Sequence, residues 1–170
     1  IDCRYEQHAH AILDIFNDAI ETSTALYDYE KRTLQSMVSW FEQKEANGYP
    51  VIGLEAGNGE LMAFASYGSF RNWPAYKYSI EHSIYVHQNF RGLGLGHVLL
   101  EKLIEAAKEN HFHVMIGGID ADNKASIALH EKHGFCHVGT LPEVGYKFDR
   151  WLNLAFYQLI LSTPTHPSIP

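Results

Sequence analysis

Three glycines in five residues, Gly92-Leu93-Gly94-Leu95-Gly96, separate an alternating segment that ends at Val86 from an amphipathic run led by Val98. This constrains the fold more than any other feature, because a strand, a tight turn and a helix must follow one another with no slack. Exposed N–H groups at such a helix start form an anion site, and glycine admits a phosphate where a Cβ would block it. A ligand-free structural turn fits an isolated glycine trio about equally well. Two phosphate-binding patterns fail on inspection. No Gly-Lys-Ser/Thr closes the turn, and the last glycine of a G-x-G-x-x-G pattern is replaced by His97.

Periodicity places the other elements around that turn. Ile12, Leu13, Phe16, Ala19 and Ile20 predict a helix over Ala9 to Ile20, and Leu34, Met37, Val38 and Phe41 predict a second from Thr33 to Asn47-Gly48. Strands are expected at Val51 to Glu55 and Leu61 to Tyr67, joined by the hairpin signal Gly57-Asn58-Gly59. Phe70 to Pro74 reads as a loop, and Tyr78 to Val86 as a strand with one wet face. Beyond the glycines come a helix through Val98 and Ala107, a strand from His113 to Ile119, and a helix from Ser126 to His133 capped by Gly134. Phe135 to Thr140 and Trp151 to Leu161 are the last two predicted strands. The pattern describes one mixed α/β domain over residues 1–161, with a flexible tail over 162–170.

The chain has 170 residues and a net charge of −7, from 13 Lys and Arg against 20 Asp and Glu. Nucleic acid demands a basic footprint that this chain lacks. Ile1-Asp2-Cys3-Arg4-Tyr5-Glu6 does not read as a signal peptide, and no apolar run is long enough to span a bilayer. Two cysteines, Cys3 and Cys136, cannot make a disulfide framework, so a cytoplasmic setting is expected. His111/His113 and His130/His133 have ligand-like spacing, but no Cys-x-x-Cys or H-E-x-x-H accompanies them, and no metal is expected.

The segment Arg91-Gly92-Leu93-Gly94-Leu95-Gly96 resembles the R/Q-x-x-G-x-G/A pyrophosphate turn of the GNAT acyltransferase superfamily. Downstream, Asn123 to Phe135 resembles its N-x-x-[SA]-x-x-x-[YH]-x-x-x-G-F segment, in the right order and with a strand between. More narrowly, Glu81-His82-Ser83-Ile84-Tyr85-Val86 and Gly145 to Leu152 are similar to phosphinothricin and methionine-sulfoximine N-acetyltransferases. Ser66 to Arg71 and Glu21 to Ala25 extend that similarity, so it covers essentially the whole chain before the tail.

The resemblance implies a mostly antiparallel sheet whose central parallel pair, the strands of Val86 and Met115, splays around acetyl-CoA. Backbone groups of Ile84, Tyr85 and Val86 would pair with the pantetheine arm. Arg91, Gly92, Leu93, Gly94, Leu95, Gly96 and His97 would cradle the pyrophosphate, with Asn123 and Ser126 on the other side. For Asn123 a plain helix N-cap is the bland alternative. Glu81 is expected to take the proton of an amine, since desolvation raises a carboxyl toward that task. Alternation puts Glu81, Ser83 and Tyr85 on one face of the strand and His82 and Ile84 on the other. His130 stands where many relatives carry an acid tyrosine; His130, Tyr85 and water remain candidates for protonating the leaving thiolate.

The implied acceptor is a small amino-acid-like amine such as methionine sulfoximine, methionine sulfone or phosphinothricin, which links the family to herbicide resistance. Tyr27, Arg71, Asn72, Trp73, Tyr76, Glu81, His82 and Ser83 are the expected acceptor residues, with Arg71 offering a two-pronged contact to an oxyanion. A polyamine, aminoglycoside or protein N-terminus as acceptor, and a non-catalytic CoA-binding module, are the alternatives. Both alternating faces of Trp151 to Leu161 are apolar, as in a covered central strand or a subunit interface. The resemblance to a family rich in homodimers favours the interface.

Overall fold

The first helix, α1 (Tyr5–Thr22), turns Ile12, Ile15, Phe16, Ala19 and Ile20 to one side, and all five are buried. It starts a turn earlier than expected because His8 Nδ1 accepts from the Arg4 N–H, 2.9 Å away, and tethers the N-terminus. In α2 (Leu34–Ala46) the Thr33 hydroxyl accepts from the Ser36 N–H, the side-chain cap that orphan N–H groups favour. Then follow β1 (Val51–Glu55), β2 (Leu61–Ser69), a 3-10 turn at Pro74–Tyr76 and β3 (Ser79–Val86). The central unit is α3 (Leu95–Glu109), β4 (Val114–Asp120) and α4 (Lys124–Lys132), and the chain closes with β5 (Cys136–Lys147) and β6 (Arg150–Ile160). The structure, a computed structural model, describes residues 1–163, 166 and 167, so the expected tail lies mostly outside the described residues.

Among the described residues the six strands form one sheet in the order β1-β2-β3-β4-β6-β5. Every neighbouring pair is antiparallel except β3 and β4. That parallel pair is joined only where Ser79, Ile80 and Glu81 meet Val114, Met115 and Ile116; beyond Glu81 the strands part. β4 is meanwhile held along its whole length by β6, from Val114↔Ile160 to Asp120↔Leu154. The sheet therefore opens on one side of β4 while staying closed on the other.

β5 differs most from expectation, running to Lys147 where the sequence predicts an end at Thr140. Register shifts between His137 and Gly139 and between Leu141 and Gly145 absorb the breakers Pro142 and Gly145. Phe148 and Asp149, with φ of 54° and 59°, make the two-residue turn into β6 without a glycine. β6 lies between β4 and β5, and its Leu152, Ala155 and Tyr157 are buried.

Two cores sandwich the sheet. On one face Phe16 of α1 packs edge-on to Phe64 and Tyr85, with Met37 and Trp40 of α2 alongside. On the other, Leu99, Leu100 and Leu103 of α3 cover Ile80, Tyr67 and Met115. Burying each such side chain contributes about 1.5–3 kcal/mol, and the division fixes which way every β3 residue points.

Candidate active site

A groove of about 470 Å³ opens where β3 and β4 part, lined by Ser83 to Val86 on one edge and Gly117 to Asp120 on the other. Their facing backbone edges have no strand between them, so an extended ligand can add to either as a strand would. The α3 N-terminus stands at one end. Gly92 and Gly94 have φ of 78° and 75°, a left-handed conformation that favours glycine, and no side chain caps the helix. No atom lies within 4 Å of where a Cβ would stand on either glycine, so the first N–H groups of α3 look out over an open cradle. Arg91 lines the groove while its Nη2 donates to Asp18 Oδ2, 3.0 Å away. On the far side Asn123 caps α4, its Oδ1 accepting from the Ser126 N–H, and both residues line the groove. The N-cap role and a place on the groove wall coexist in Asn123.

The strand directions sort β3 as alternation predicts. Tyr85 falls in the α1 core, and Glu81 and Ser83 share its face; Ile80, Ile84 and Val86 pack toward α3. Burial pushes the Glu81 carboxyl above the usual carboxylate range. Gly118 of β4 lets it lie there: a Cβ at that position would come 3.3 Å from Glu81 Oε1. Burial also drives the Tyr85 phenol up to about 12, and Ser83 hydrogen-bonds its hydroxyl.

On the opposite face His82 and His130 meet. Their Nε2 atoms are 2.8 Å apart; His82 Nδ1 is 3.0 Å from the Ile116 carbonyl and His130 Nδ1 is 2.6 Å from the Ser126 carbonyl. Both rings are buried, with the Phe135 ring against them. Burial makes each imidazole harder to charge, His82 most of all; the charge of His130 adds to this at His82, and that of His133 at His130.

The chain is similar in sequence and in fold to known proteins. Residues 10–135 match the model of the acetyltransferase (GNAT) family. The chain belongs to the GNAT acetyltransferase family. It is 42% identical over 150 residues to an L-methionine sulfoximine/L-methionine sulfone acetyltransferase of Pseudomonas paraeruginosa, covering 88% of this chain and 87% of that protein. An N-acetyltransferase structure from Staphylococcus aureus Mu50 superposes with a TM-score of 0.93 at 49% identity, covering 95% of this chain and 97% of that one. A phosphinothricin acetyltransferase of Sinorhizobium meliloti in complex with AcCoA gives a TM-score of 0.94 at 30% identity, covering 99% and 91%.

Within the GNAT fold the expected residues are not all brought together. His82, Ser83, Ile84, Tyr85, Val86, Arg91, Gly92, Gly96, Asn123, Ser126 and His130 line the groove. Leu93 is exposed, and His97 turns to His133, its Nδ1 2.9 Å from His133 Nε2. His82, expected beside the acceptor, lines the groove and also faces His130. Burial, then the charges of Asp120 and Glu81, raise the Tyr27 phenol, which places Tyr27 within electrostatic reach of both carboxylates. Arg71 lies over the Phe70 ring and Phe70 packs on Phe156, whose ring is 3.8 Å from the Cβ position at Gly118. Asn72 accepts from Ser69, while Trp73 and Tyr76 stand exposed.

Sequence reasoning missed Asp120, which lines the groove at the end of β4. Thr24 Oγ1 donates to its Oδ2 at 2.6 Å, and Arg150 pairs with the same oxygen at 3.3 Å. Lys147 was missed too: its buried Nζ donates to the carbonyls of Ser23 and Leu26, while the Tyr29 hydroxyl donates to the Tyr146 carbonyl. These bonds clasp the α1–α2 loop, which carries Tyr27, to the last hairpin. Among the described residues no group of three or more His, Cys, Asp or Glu is arranged to hold a metal, and no helix is long and apolar enough to cross a membrane.

Proposed function

We propose that this acetyltransferase moves the acetyl group of acetyl-CoA to the α-amine of a small amino-acid-like acceptor. Methionine sulfoximine, methionine sulfone and phosphinothricin define the acceptor type, and the cytoplasm the setting. The observation that carries the reading is the parting of β3 and β4, with an uncapped helix N-terminus at one end and the half-buried Glu81 carboxyl on the α1 face of β3. The residues fit the cosubstrate. N–H groups from Gly92 to His97 would hold the pyrophosphate, with Arg91 exchanging Asp18 for it. The strand edge of Ile84 to Val86 would take the pantetheine arm, with Asn123 and Ser126 opposite. The thioester is already activated, so direct transfer in a ternary complex needs no covalent enzyme intermediate.

Glu81 is the base of this reading. Its raised proton affinity suits removal of a proton from an amine. Of the candidate acids, Tyr85 and His130 both line the groove, but Tyr85 packs in the α1 core with its hydroxyl on Ser83. Arg71, at the edge of the acceptor face, supplies a cation for the acceptor's oxyanion.

The test is CoA release with the three acceptors beside spermidine, an aminoglycoside and a short peptide. Wild type should turn over only the amino-acid-like set. Glu81→Gln should lose about 10²–10⁴-fold in kcat with acetyl-CoA affinity retained, and Arg71→Ala should raise the acceptor KM. Turnover of only the other amines, or an unchanged Glu81→Gln, defeats the reading.

A further inference from the structure

Two imidazoles carry two N–H protons when neutral, one on each ring. The His82–His130 pair makes three close contacts: Nδ1 of His82 to the Ile116 carbonyl, Nδ1 of His130 to the Ser126 carbonyl, and Nε2 to Nε2. A carbonyl oxygen only accepts, so both Nδ1 atoms must be donors. That uses both protons of a neutral pair and leaves two lone pairs facing each other across 2.8 Å in a buried site. Only a third proton satisfies all three contacts. A fourth would set two N–H donors against each other across 2.8 Å. Burial makes both imidazoles harder to charge, so it opposes even the third proton, and the three hydrogen bonds which that proton completes hold it against burial.

We propose that His82 and His130 share one proton between their Nε2 atoms, and that this proton is the one delivered to the departing thiolate of coenzyme A. The inference rests on the acetyltransferase reading and deepens it, for it makes His82 the positioning residue of the acid. The surroundings suit a single charge. From α4 the pair is faced by His133, which is itself bonded to His97 of α3. β4 offers Gly117 and the Ile116 carbonyl, Phe135 covers the rings, and Glu81 lies on the other side of the sheet. No carboxylate is bonded to either ring among the described residues, so nothing but the three hydrogen bonds holds the proton. Gly117 is the fitted partner: a Cβ there would come 3.0 Å from His82 Cε1 and 3.3 Å from His130 Nε2.

The step balances. A neutral amine nitrogen forms the bond to the acetyl carbon and loses a proton to Glu81. The carbon–sulfur bond breaks, the electron pair leaves with sulfur, and sulfur takes the shared proton. Two neutral imidazoles and a protonated Glu81 remain, and exchange of one proton through solvent resets both.

The first measurement needs no turnover. Nitrogen-15 spectra of the histidine-labelled wild-type protein at neutral pH should show one strongly deshielded N–H proton coupled to Nε2 of both rings. It should vanish in His82→Gln and in His130→Gln. Two neutral rings with no shared proton at neutral pH overturn the proposal. The second is the pH profile of kcat. Wild type should fall at high pH as the pair loses its proton. His82→Gln should lower the plateau roughly 10²-fold, abolish that basic limb and leave the acetyl-CoA KM within about threefold. A His82→Gln profile with an unchanged basic limb refutes the delivery. If no acetyl transfer is found with any amine, the acetyltransferase reading and the delivery fall together, while the spectrum still decides whether the proton is shared.

Discussion

Gly117 and Gly118 are neighbours on β4 that look to opposite faces of the sheet, so one methyl group on each addresses the two halves of the site separately. A Cβ on Gly117 meets His82 and His130 at 3.0–3.3 Å; one on Gly118 meets Glu81 Oε1 and Leu154 Cδ1, both at 3.3 Å. Non-bonded carbon contacts are best at about 3.5–4.0 Å, so the rings or the carboxylate must retreat by roughly 0.2–0.5 Å. A misplacement of about 1 Å costs about 10²-fold in rate, so a retreat of half that costs roughly tenfold. Gly→Ala gains about 0.4–1 kcal/mol through the unfolded chain, and the new contact offsets it. The melting temperature should therefore move by less than about 4 °C. The two kcat profiles should separate. Gly118→Ala further desolvates Glu81, raising its proton affinity and moving the acidic limb to higher pH. Gly117→Ala spreads the histidine pair, which then loses its proton earlier, moving the basic limb to lower pH. Loss of rate with neither limb displaced, or displacement of the wrong limb in either variant, would refute the sidedness.

Two further outcomes are expected. Lys44 Nζ donates to the Tyr67 carbonyl between the rings of Trp40 and Tyr49, and burial pulls its amine down to about 8 from 10.5. The folded amine sheds its proton before the unfolded one, so Lys44→Met should be the more stable protein below pH 8. Its advantage should shrink between pH 8 and 10.5, and melting curves with a constant difference would contradict this. Homodimerisation is proposed through the last hairpin, where Val138, Leu141, Val144, Tyr146 and Trp151 are exposed. Wild type should sediment as a dimer at micromolar concentration and Trp151→Glu as the 19.3 kDa chain; a monomeric wild type defeats the proposal.

Much of this was legible in the sequence because local rules and tertiary packing agree. The spacing of Ile12, Phe16 and Ala19, the Asn58-Gly59 turn and the Gly92–Gly96 break all specify what the fold uses. Alternation also fixed the faces of β3, so Glu81 and His82 could be set apart before any coordinates. It could not say what His82 faces: its partner is 48 residues away, on a helix whose docking depends on the whole sheet. β5 was truncated because Pro142 and Gly145 signal a break, whereas bulges carry the strand past them. The apolar faces of β6 fit a covered central strand and a subunit interface alike, and periodicity carries no signal that separates the two.

The clasp between Lys147 and the α1–α2 loop joins residues up to 124 positions apart. A ribosome therefore releases the loop that carries Tyr27 long before it releases the strand that fastens it. The groove between β3 and β4 draws its walls from residues before Leu141, but the bonds on Ser23, Leu26 and Asp120 wait for Lys147 and Arg150. The loop that lends Ser23, Thr24 and Ala25 to the groove wall is thus the last part of it to be fastened, and a chain stopped short of its final hairpin would leave that wall unclasped.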